Sequence, residues 1–272
     1  MRTSSNPAFR NLPSGQGGYA TFDRQGGAMG GAMGGTAAYA DAQAGSVDHG
    51  RAGVGERPLT TDDIVLKTGL SAGVALIAGI ITAVAGLYSL GIPAFVVGFV
   101  VSLVLIFKPQ WAGAPLVLLY SAAMGVALGG IAGLLNMRFP GIAFQALLGT
   151  AGVFVGMLVV YKTGAVRVTP RFTKWVMGAL IGVVILMVAN LVASLFGLDL
   201  GLRSGGPLSI IFSLVIIGVA AFSLLLDFDQ ADQAVRGGAP AKVAWYIAFG
   251  LMTTLVWLYI EILRLLTYLR SD

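Results

Sequence analysis

From residue 64 onward the chain alternates long apolar runs with short polar connectors. Seven runs stand out: Ile64–Leu87, Ile92–Phe107, Pro115–Leu135, Ile142–Tyr161, Trp175–Phe196, Pro207–Leu226 and Val243–Tyr268. Most approach or exceed the ~20 apolar residues that an α-helix needs to cross the hydrocarbon of a bilayer. The pattern predicts an all-α polytopic membrane protein, a bundle of seven transmembrane helices. The first helix is entered through "LTTDD", where Thr60 or Thr61 can cap it and Asp62 and Asp63 suit the positive end of its dipole. Pro93 takes an allowed first-turn place in the second. Residues 1–58 differ. They carry no hydrophobic periodicity, are rich in Gly, Ala, Ser and Gln, and contain the near-repeat "GGAMGGAMGG" at Gly26–Gly35. Such a segment buries too little apolar surface to offset its chain entropy, so a disordered Gly-rich cytoplasmic tail is expected over 1–58 and the membrane domain over 59–272. No unbroken apolar run follows Arg2, which argues against a secretory signal.

Composition agrees with the pattern. The 272 residues are 57% hydrophobic and 11% charged, against about a quarter charged in soluble domains. There is no cysteine, and the one histidine, His49, lies in the polar tail. Disulfides, thiolate chemistry, histidine-ligated metals and an intramembrane serine–histidine hydrolase are all disfavoured. The net charge of +5 resides in loops and tail, where it reads as a topology signal, not as a nucleic-acid surface. With the N-terminus inside, the inner connections hold Lys108, Lys162, Arg167, Arg171, Lys174, Arg236 and Lys242. The outer side holds Arg138, Arg203, Arg264 and Arg270. The cationic excess predicts a cytoplasmic N-terminus and an outer C-terminus.

Small residues mark packing faces. Gly125, Gly129 and Gly133 recur every four residues on the third helix, and Gly152 and Gly156 on the fourth, so both rows are expected to admit a neighbouring backbone. Lys67 is expected to snorkel to the inner surface, while Gln145 and Asn190 suit hydrogen bonds between helices.

Acids are scarce in the membrane part, which makes "SLLLDFDQADQ" at 223–233 conspicuous. Asp227, Asp229 and Asp232 follow the uncharged run Pro207–Leu226 and fall at its end beside a polar loop. Asp227 and Asp229 are two apart, about 200° around a helix, so at most one faces the bundle. Glu261 is the one acid well inside an expected span. An ionisable group at that depth costs several kcal/mol unless paired, wet or protonated, and is a functional candidate by default. Arg264, three residues on, offers an intrahelical partner. Counting from Val243 puts Glu261 ~27 Å up, near the far surface, unless the preceding turn lies along the interface and lowers it. If an aspartate meets Glu261 in the bundle, the two form a coupled like-charge pair sharing one proton. Such a pair would latch the last two helices, and when ionised would part them or recruit a hard cation such as calcium between Asp227 and Glu261.

Four stretches are similar to the Bax inhibitor family, and within it to the bacterial, actinobacterial-type branch. These are "FKPQWAGAPLVLLYSAAMGVALGGIAGLL", "FPGIAFQALLGTAGVFVGMLVVYKTGAVRVTPRF", "LLLDFDQAD" and "LVWLYIEILRLL". The resemblance spans about 60–270. It implies a seven-helix bundle with the last helix at its centre, set in the plasma membrane, and a calcium leak gated by an acidic pair. The helix-seven member of that pair falls on Glu261, and the helix-six member on Asp227 or Asp229. Met124 stands where many relatives carry an acid, and the loop between the two acids is longer than usual. Two functions follow from the resemblance: a pH-sensitive cation leak carrying calcium, and a non-conducting regulator that binds a membrane protease or other membrane proteins. An enzyme is not expected, since the "GxGD" element of an intramembrane aspartyl protease is absent. No cofactor is expected beyond calcium as the transported ion.

Overall fold

The computed structural model describes residues 56–198 and 201–271. The tail over 1–55 lies outside them. Seven α-helices are long and apolar enough to cross a membrane. They are α1 (Thr61–Val84), α2 (Gly91–Phe107), α3 (Ala114–Arg138), α4 (Ile142–Thr163), α5 (Pro170–Leu195), α6 (Pro207–Arg236) and α7 (Val243–Ser271). Single 3₁₀ turns at Tyr88–Leu90 and Pro109–Trp111 introduce α2 and α3.

Local chemistry sets the ends. Thr60 caps α1 in a capping box: its hydroxyl accepts from the Asp63 backbone amide, and the Asp63 carboxylate accepts from the Thr60 amide. Thr169 accepts from the Phe172 amide and Pro170 opens α5. The last residues of the expected tail are ordered. Leu59 N–H donates to the Ala239 carbonyl at 2.7 Å and Ala241 N–H to the Arg57 carbonyl at 3.0 Å, while Lys242 pairs with Glu56 at 3.0 Å. The boundary at 58 is therefore a few residues late: Glu56–Pro58 belong with the membrane domain, strapped to the α6–α7 turn. Lys67 reaches the same turn, its ammonium donating to the Ala241 carbonyl at 2.7 Å.

The expected central helix is central. α7 packs against α1, α3, α4 and α6, while α5 packs chiefly on α6. Buried Leu224, Phe228, Ala244, Leu251, Leu258 and Ile262 join α6 to α7. Tyr120 on α3 meets Phe249 on α7 edge-on, ring centroids 5.0 Å apart. The outward faces of α1, α2 and α5 are lined with exposed Val, Ile, Leu and Phe, as hydrocarbon contact requires.

The two glycine rows part company. A Cβ on Gly125 would stand 2.2 Å from the Ala75 carbonyl oxygen, and one on Gly129 2.3 Å from that of Gly79, so α1 and α3 touch backbone to backbone. Gly133 similarly admits the Tyr88 ring. Gly152 and Gly156 have nothing within 4 Å of such an added atom, and the packing expected there is absent. The glycine of α4 that does meet a neighbour is Gly149, against Ile262 of α7; its face of the helix turns inward and the 152/156 face turns out.

Candidate functional site

α6 does not stop at Leu226. It continues ten residues to Arg236, so Asp227, Asp229 and Asp232 are helical and not part of a solvated loop. The charges end the apolar run without ending the helix. A helix has room for only one of the first two aspartates on its inner side, and that one is Asp227. Its Oδ2 accepts a 2.7 Å hydrogen bond from the Thr254 hydroxyl on α7. Asp229 instead accepts from Gln233, one turn along the same helix. Asp232 is held by Arg236 at 2.6 Å and accepts from the Tyr161 hydroxyl of α4 at 3.3 Å.

The Asp227–Thr254 contact is half-buried and lies part-way along both helices. Asp227 is nine residues before the end of α6 and Thr254 eleven after the start of α7, ~14 and ~16 Å along their axes.

Glu261 lies further along α7, and it is buried, with 2% of its surface exposed. Its Oε1 accepts from Arg264 Nη1 at 2.8 Å and lies 3.7 Å from Arg203 Nη2, a residue of the α5–α6 loop. Its Oε2 has no hydrogen-bond partner among the described residues. Burial pulls the Arg203 guanidinium below its ordinary pKa, the neighbouring Arg264 charge adds to this, and Glu261 opposes it. The intrahelical pair with Arg264 forms, and a second cation from outside the helix joins it.

The direct pairing of Glu261 with an aspartate is not found. Thr254 and Glu261 are seven residues apart, on one face of α7 but separated by ~10 Å of axis. Asp227 is bound to the first and two arginines to the second. Calcium ligation shared by Asp227 and Glu261 does not fit this arrangement either, since ligand oxygens must all come within ~2.3–2.6 Å of one ion. No group of three or more His, Cys, Asp or Glu side chains able to hold a metal occurs among the described residues.

Other expectations fare variously. Gln145 does join helices, its Oε1 accepting from Arg270 of α7 at 2.7 Å. Met124 is buried, and its side chain fills the space over Gly98 of α2. The partners that sequence reasoning missed are Thr254 and Arg203. A threonine in an apolar helix carries no distinctive signal, and Arg203 reaches Glu261 across 58 residues of chain.

A bundle with its last helix in the middle, an aspartate of α6 clasped to that helix and a glutamate buried beyond it invites comparison with known families. A family model described as Bax inhibitor 1 like matches residues 6–271. The chain belongs to the Bax inhibitor 1 like family. For this Bax inhibitor 1 like chain the match begins well before residue 60, so most of the Gly-rich tail lies within it. No curated protein and no solved structure matches the chain.

Proposed function

We propose that this membrane protein is a pH-sensitive cation leak, with calcium the ion that the family resemblance favours, and that Asp227 is its titrating latch. The observation that carries the reading is the Asp227–Thr254 contact between α6 and the central α7. Its chemistry is one-sided. Glu261 has two guanidiniums to answer its charge, whereas Asp227 has a single neutral hydroxyl. A carboxyl that keeps its proton can remain clasped to Thr254 in an apolar seam. Once the proton leaves, one hydroxyl cannot replace the lost hydration of the carboxylate. Water or a cation must then enter, and either requires α6 and α7 to part. The latch is therefore an aspartate–threonine contact and not a shared-proton acidic pair. Glu261, held by Arg203 and Arg264, serves as the fixed end of the seam. The distribution of Lys and Arg favours a cytoplasmic N-terminus, with the α6–α7 turn on the same side.

Reconstitution into liposomes loaded with a calcium-sensitive dye tests this. Flux should rise with pH in the unaltered chain, and Asp227→Asn, a permanently uncharged latch, should hold it low and flat. An Asp227→Asn protein that keeps the original pH profile removes Asp227 from the mechanism. Absence of flux at every pH, with a co-purifying membrane protease or other membrane protein, would favour the regulator instead.

A further inference from the structure

A cavity of about 1500 Å³ runs between α1 and α4, which pack on α3 and α7 but scarcely on each other. Its rim residues Val65, Ile80 and Phe144 are exposed, so the cavity opens sideways into the layer where lipid tails lie. Its floor is apolar and smooth: Gly129 and Ala132 from α3, Met252, Leu255 and Val256 from α7. The volume exceeds the ~300–1,000 Å³ usual for small-molecule sites. Along α4 the lining extends from Ala143 to Lys162, ~28 Å, close to the thickness of the hydrocarbon.

The two ends differ in charge. The end near Ala143, Phe144, Gly79, Ile80 and Ala83 is apolar. At the other, Lys162, Arg167, Arg236, Tyr161 and Asp232 converge. Asp232 is already answered by Arg236 and Tyr161. Lys162 and Arg167 are exposed, and neither has an acidic partner among the described residues. A long apolar groove with two unanswered cations at one mouth matches a molecule with an anionic head and long tails. A partner helix would have to supply acids at that one depth, whereas an anionic lipid supplies them at the level of its own headgroup. Basic pockets between membrane helices are recognised places for such headgroups.

We propose that the α1–α4 groove is a binding site for an anionic phospholipid of the bilayer, its phosphate on Lys162 and Arg167 and its acyl chains on the floor of α3 and α7. Native mass spectrometry of the full chain, titrated separately with phosphatidylglycerol and phosphatidylcholine, tests it. Phosphatidylglycerol should bind more tightly, and Lys162→Gln and Arg167→Gln should each weaken it about fivefold while leaving phosphatidylcholine unchanged. Gly69→Leu places a side chain in the groove where nothing lies within 4 Å, so it should displace the lipid from a folded protein. Lipid bound merely around the perimeter would be indifferent to Gly69→Leu. Equal binding of the two lipids, or phosphatidylglycerol binding that survives the double Gln variant or Gly69→Leu, overturns the proposal. So does a co-purifying membrane-spanning polypeptide that Gly69→Leu releases while lipid binding stays unchanged.

Discussion

Thr254 gives Asp227 its one hydrogen bond across the seam, so Thr254→Val leaves a carboxyl without its donor while nearly preserving volume. The loss should be about 0.5–1.5 kcal/mol in thermal or denaturant unfolding, the net worth of a half-buried hydrogen bond. Under the proposed latch it should also raise calcium flux at a fixed pH, the opposite sense to Asp227→Asn. Glycines offer a paired test. Gly129→Ala must move a carbonyl that would sit 2.3 Å from the new methyl, and should destabilise by about 1–3 kcal/mol, whereas Gly152→Ala, with open space around it, should stay within ~0.5 kcal/mol of the starting protein. At this scale the sequence was legible where chemistry is local. Thr60, one of two threonines able to cap α1, meets Asp63 three positions on, and Glu261 meets Arg264 at the same spacing. It was illegible where a partner comes from another helix. Spacing alone says that Asp227 and Asp229 point apart, but not which one α7 receives. Four-residue glycine spacing likewise marks a smooth face without saying that anything lies against it.

At the level of the helices, the apolar runs locate all seven spans because a bilayer demands uninterrupted apolar length. They misplace ends where charge and helicity disagree. α6 is the main instance: polar residues after Leu226 leave the hydrocarbon pattern, yet nothing there breaks a helix until Gly237 and Gly238. The extra turns bring Asp232 to Tyr161 on α4 and Asp227 to α7. A second interhelical tie, from the α5–α6 loop to α7, rests on Arg203 and Glu261. Removing one partner of a fully buried ion pair costs ~3–5 kcal/mol. Arg203 and Arg264 keep 32% and 25% of their side-chain surface exposed, so part of their charge can be rehydrated. Glu261→Gln should therefore cost less, about 1–3 kcal/mol. A double-mutant cycle of Glu261→Gln with Arg203→Gln should give a coupling of at least ~0.5 kcal/mol. Strict additivity would mean that the 3.7 Å approach contributes nothing.

Across the whole molecule, α7 is the common neighbour and α5 the outlier. Phe172 and Trp175 of α5 stack edge-on against Phe222 of α6, and Val183 packs with Ile216 and Val219, so α5 is fastened chiefly to α6. A movement that separates α6 from α7 would carry α5 along as freight and push it sideways into the surrounding acyl chains. Under the proposed latch, the work of opening would then include compressing lipid, so that membrane stiffness and lateral pressure would load it quite apart from proton concentration.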